Sequence, residues 1–160
     1  MIKEGLELIG EFIKDQLVKV LDDQGHRATG TLQDTMRSEV KSSGKGYEIT
    51  IYGKDYAKYV ELGVPKGTWV SVDALAEWVH VKGIASGERE IKNIAFAIQR
   101  KIFDKGSIQF REKKKGFIQV VLDENANIIF QKVFDLFSRE VAISLRNTIA
   151  KQRRIFQTVS

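Results

Sequence analysis

Tyr47-Glu48-Ile49-Thr50-Ile51-Tyr52-Gly53-Lys54-Asp55-Tyr56-Ala57-Lys58-Tyr59-Val60-Glu61-Leu62-Gly63 changes its periodicity part-way along. Over the first six residues Tyr47, Ile49 and Ile51 alternate with Glu48, Thr50 and Tyr52, the two-residue period of a half-buried strand. From Asp55 the pattern becomes a short amphipathic helix carrying two tyrosines one turn apart, and Gly63 ends it. Upstream, Ser42-Ser43-Gly44-Lys45-Gly46 supplies a turn, longer and richer in glycine than a two-residue connection needs. Thr35 to Lys41 then becomes the first arm of a hairpin over 35–53, although its own strand propensity is weak.

Helical patterns flank this unit. Leu6, Ile9, Ile13, Leu17 and Val20 share one face of a helix over 2–21, widened by Leu8 and Phe12, and Gly25 follows its end. Beyond the loop Gly63–Gly67, which holds the single proline Pro65, Ser71 caps a helix from Val72 to about Val81 with Leu75, Trp78 and Val79 on its apolar side. Ser86 is placed to cap a further helix from about Glu88 to Asp104, with Ile91, Ile94, Ala95, Ile98 and Ile102 in register and Gly106 beyond. Residues 106–116 are a charged loop or an irregular hairpin tip. A long helix then runs to about Lys151, starting either at Phe117 or after Asp123, with Phe130, Phe134, Phe137, Val141, Leu145 and Ile149 in one stripe. A ligand pocket is one reading of Phe130, Phe134 and Phe137, but at that spacing such a stripe is far more often core, or a face packed on another subunit.

The expected class is α+β. A small antiparallel sheet built on the hairpin is packed by a long N-terminal helix, two or three middle helices and a long C-terminal helix. Two strands alone are marginal. Further strands in 64–70 or 107–121, or neighbouring copies, are therefore expected to complete the sheet. At 160 residues the chain is one domain's worth, with the basic loop 107–116 and the basic tail 151–160 as its candidate flexible parts.

The composition removes several function classes. Without cysteine there is no disulfide framework, thiol nucleophile or thiolate metal site, which fits a reducing compartment. The apolar runs are far too short for a membrane span, and Lys3 and Glu4 precede an amphipathic pattern that is unlike a signal peptide, so cytoplasm is the expected place of synthesis. The two histidines, His26 and His80, sit in no nucleophile setting, and His80 on a helix is ordinarily a surface or half-buried residue. Asp22-Asp23 lacks the further ligands of a calcium loop. Gly44-Lys45-Gly46 leads into a strand, so it is a turn and no phosphate cradle. No catalytic residue, cofactor or metal site is expected.

The net charge of +5 is modest but unevenly spread. Residues 111–115 and the tail from Arg146 through Lys151, Arg153 and Arg154 are basic. The plain account is a solvated surface with cations near a helix C-terminus. The sharper one is contact with an anionic partner, for which Lys113, Lys114 and Lys115 are the best candidates to meet a phosphate backbone, followed by Arg153 and Arg154.

The order Thr29-Gly30-x-Leu32, then a hairpin, then Tyr56-x-x-Tyr59-Val60-Glu61-x-Gly63 resembles the tail-completion and head–tail joining proteins of tailed bacteriophages, a morphogenesis family that includes minor-tail-protein-Z-like members. Trp78-x-x-x-Lys82-Gly83-Ile84 and Ala95-Phe96-Ala97-Ile98-x-x-Lys101-Ile102 before Gly106 look like its longer members. Two positions depart: the loop before the Trp78 helix is poorer in proline than is usual, and Thr35 stands where serine is expected. The resemblance implies a structural virion protein that is not an enzyme. It would assemble as a ring, commonly of six, between the head connector and the tail tube, near exiting DNA and away from any membrane. Tyr56, Tyr59 and Val60 are then expected to pack on the hairpin, with Glu61 facing a neighbour or acting as a cap. The alternative is a basic nucleic-acid-binding protein using Lys113–Lys115 and the basic tail.

Overall fold

The computed structural model describes residues 2–25 and 30–158 and is α+β. Helix α1 (Ile2–Asp23) buries Leu6, Ile9, Leu17, Val20 and Leu21 along one stripe. Leu8 points to solvent instead of widening that stripe, while Phe12 is half-buried with the Lys132 amine 4.8 Å above its ring. A five-residue helix, α2 (Thr31–Thr35), follows Gly30, whose φ of 78° is the left-handed geometry that glycine adopts without strain.

Strands β1 (Arg37–Ser43) and β2 (Gly46–Tyr52) pair antiparallel from Arg37 opposite Tyr52 to Ser43 opposite Gly46. Only Gly44 and Lys45 turn the chain, so Ser42, Ser43 and Gly46 belong to the ladder and the connection is shorter than the sequence suggests. The sheet has two strands among the described residues. Segment 64–70 has no strand and 107–121 is largely helical, so the strands expected there are absent. Compensation comes from α1, which lies on the hairpin at Gly10. A Cβ there would stand 3.1 Å from both Ser38 Cβ and Ile49 Cγ2, and this close seat covers Val40 and Ile49. Ser38 also donates to Glu11, whose carboxyl is held below the usual range by Lys14 first and Ser38 second.

Helices α3 (Ala57–Leu62), α4 (Val72–Val81), α5 (Glu88–Lys105), α6 (Ile108–Glu112) and α7 (Phe117–Thr158) complete the chain. Ser71 caps α4 by accepting from the Ala74 amide at 3.3 Å. The residue entering α5 is Gly87, whose carbonyl accepts from the Ile91 amide at 2.8 Å, so Ser86 lies one residue too early to cap it. Val79 and Ala95 are fully buried where α4 and α5 pack. Residues 106–116 are organised by α6 and form no hairpin tip, and α7 starts at Phe117.

Two apolar clusters hold these pieces. One joins Leu17, Val20, Leu21, Leu32, Phe117 and Val121, with Met36, Ile51, Ala57 and Val60 packed against it. The other joins Leu6, Ile9 and Val40, with Ile129, Val133 and Leu136 of α7 closing it. Burying each large side chain contributes about 1.5–3 kcal/mol, so the first half of α7 is fixed by the core. The second half is exposed along residues 141–150.

Candidate assembly surfaces

The helix-to-glycine segment 55–63 lies at a junction. Val60 and Ala57 pack on the cluster that holds Leu32 and Phe117. Glu61 reaches the start of α7, where its carboxylate accepts from the Ile118 amide at 2.7 Å and the Gln119 amide at 3.1 Å. These are among the orphan amides of a helix N-terminus, and the adjoining Gly116 has no side chain to satisfy them. The Glu61 carbonyl accepts from Gln109 of α6 at 3.3 Å. Gly63, with φ 78° and ψ 172°, sits against the Phe110 backbone, and Val64 and Ser107 exchange bonds at 2.9 Å. One short segment thus ties α3, α6 and α7 together.

Val60 packs on the same cluster as Ile51 of the hairpin, whereas the two tyrosines are less covered. Tyr56 precedes α3 and Tyr59 lies under the Lys58 amine at 5.0 Å, and both rings stay substantially exposed. Partial burial still pushes the Tyr56 phenol above its ordinary value. Of the upstream motif, Thr29 lies outside the described residues, Gly30 is buried and Leu32 is core. The downstream motif sits elsewhere. Trp78 is on the exposed side of α4, Lys82 donates to the Gly25 carbonyl at 2.8 Å, and Gly83 makes a left-handed turn at φ 65°.

The basic candidates do not form one free cluster. Lys113 closes α6 in the left-handed conformation, Lys114 pairs with Glu112 at 2.9 Å, and Lys115 pairs with Asp123 at 2.6 Å. The Lys115–Asp123 bond raises the lysine's pKa and lowers the aspartate's, with Gln119 as the second cause for Asp123. Arg153 is exposed on α7, far along the helix from this loop, and the Arg154 side chain lies outside the described set.

Sequence reasoning passed over an aromatic groove. Trp69 stacks on Phe103 with centroids 4.3 Å apart, beside Phe96, Gln99, Arg100 and Asp104. The loop is anchored there because Gly67 donates to the Phe103 carbonyl at 2.8 Å and Gln99 donates to Val70 at 2.8 Å. The isolated Trp69, with no periodic pattern around it, offered no signal.

The α7 stripe is an extended exposed apolar surface. Phe130, Phe134, Phe137, Val141, Leu145 and Ile149 are between 38% and 69% exposed, and Phe130 and Phe134 stack on each other at 6.4 Å. Among the described residues no group of three His, Asp or Glu could hold a metal ion, and no helix is long and apolar enough to cross a membrane. No protein-family model, curated protein or solved structure matches the chain.

Proposed function

We propose that the chain is a structural component of a tailed-phage virion, a neck or tail-completion protein that works by forming a ring at the head–tail junction and performs no catalytic turnover. Its partners on this reading are further copies of itself, commonly six in the ring, the head connector and the tail tube. The observation that carries the proposal is what the family-like motif residues do. Leu32, Val60, Glu61 and Gly63 all serve one architectural junction, and none lines a reactive cleft. A motif whose members hold helices in place suits a protein that works by shape. A two-stranded sheet with unpaired edges and a long apolar stripe in solvent suit it too, since both gain from neighbouring subunits.

The nucleic-acid reading draws less support, because two of its three loop lysines already face carboxylates. The test is electron microscopy of particles assembled with and without the protein. Full heads and tails that fail to join in its absence, and join when it is restored, support the reading. Normal joining without it removes the reading.

A further inference from the structure

We infer that the free C-terminal half of α7 pairs antiparallel with the same helix of a second copy. This goes beyond the neck reading: a two-fold pair is closed, whereas a ring of six requires a head-to-tail interface.

The core releases α7 early. Leu136 is its last apolar residue packed on the core, and every residue from 141 to 150 is exposed. The helix continues to Thr158, so more than 20 residues, about 30 Å of helix, lie beyond that contact. Most helical stability in proteins comes from packing of an amphipathic face, so this stretch gains from having its stripe covered. That face is continuous, because the spacings between Phe130, Phe134, Phe137, Val141, Leu145 and Ile149 keep all six within roughly a third of the circumference. In a pair centred on Leu145 the overlap takes in the five stripe residues from Phe134 to Ile149. If each loses about 80–100 Å², two copies bury about 800–1,000 Å² from the stripe, at the low end for a specific interface.

The flanks identify the occupant. At 100° per residue, Glu140 and Lys151 fall on one flank of the stripe, and Asp135 and Arg153 fall on the other. Each flank carries its acid nearer the N-terminus and its base nearer the C-terminus. Asp135 accepts from Gln131 at 2.9 Å, while Glu140, Lys151 and Arg153 make no ion pair within their own chain among the described residues. In an antiparallel pair a flank meets the same flank of the other copy, run in reverse. Centring the pair near Leu145 sets Glu140 against the second copy's Lys151. The same register brings Asp135 within a turn of the second copy's Arg153. In a parallel pair opposite flanks meet at equal height, which would set Glu140 near the second copy's Asp135 and Lys151 near its Arg153, like charges that repel. The antiparallel direction therefore gives two attractive flank pairs against one like-charge contact, Arg146 near the second copy's Arg146 at the axis, while the parallel direction gives only repulsion.

The experiment is light scattering and sedimentation of the intact chain, with variants chosen on the Glu140–Lys151 flank. Wild type is expected at twice the 18.2 kDa chain mass. Glu140→Lys and Lys151→Glu should each weaken the dimer about tenfold or more, and their combination should return it to within about threefold of wild type. Leu145→Asp, at the two-fold axis, should give a monomer with unchanged near-ultraviolet dichroism. A monomeric wild type, a six-copy mass, or a double reversal as weak as the single ones overturns the inference. A six-copy mass would overturn the dimer while supporting the ring, and the other outcomes leave head–tail joining untouched, so failure of the dimer and failure of the neck reading are separate results.

Discussion

The Glu61 carboxylate lies across the first turn of α7 and accepts from Ile118 and Gln119, in space that exists because residue 116 is glycine. A Cβ on Gly116 would fall 2.3 Å from both the Glu61 carboxylate and its backbone carbonyl. Capping here is performed across 57 residues of sequence, so one side chain couples the helix after the hairpin to the longest helix of the fold. Glu61→Ala should therefore cost about 1–2 kcal/mol, read by chemical denaturation, with Glu61→Gln costing less because the amide oxygen still accepts.

Gly116→Ala should destabilise by more than Glu61→Ala, since it displaces backbone as well as side chain. Adding Glu61→Ala to it relieves only the carboxylate clash. A double-mutant cycle should show the two changes costing less together than the sum of their separate effects, and strict additivity would contradict the contact.

Gly63→Ala combines a positive φ with a Cβ placed 2.3 Å from the Phe110 amide nitrogen. Backbone strain of about 1–3 kcal/mol plus the clash should lower the melting temperature by at least about 5 °C. Gly67→Ala, with a similar φ but open space, should cost less.

The exposed Lys115–Asp123 pair carries a defined pH signature. Asp123 is depressed, so its contribution is complete above the unfolded carboxyl value and disappears as pH falls through the lowered folded value. Lys115 is raised, so its contribution is complete below the unfolded lysine value and disappears as pH rises through the raised folded value. An NMR titration should show Asp123 protonating at lower pH than an unpaired carboxylate, and Lys115→Ala should shift that midpoint upward.

Where side-chain period decides structure, the sequence was legible. The alternation at Tyr47–Tyr52 and the three-and-four spacing of Leu6 to Val20 found β2 and α1, and Ser71 marked α4. What escaped depends on contacts distant in sequence. Helix α6 is too short for a period and is held by Ser107 against Val64, 43 residues away. The start of α7 at Phe117 follows from Glu61, and no local signal near 117 states it. Lys114 and Lys115 read as free charge because their carboxylates are visible only once the chain folds. Gly30, Leu32, Val60 and Gly63 were legible as a pattern, and packing supplied the reason for it.

The central claim is that this chain joins heads to tails by ring formation. Its most direct measurement is the mass, by light scattering, of the chain mixed with the head-connector and tail-tube proteins of the same phage. The account predicts a stable complex containing several copies of this chain, six for the expected ring. A chain that keeps its isolated mass in the presence of both partners would contradict it.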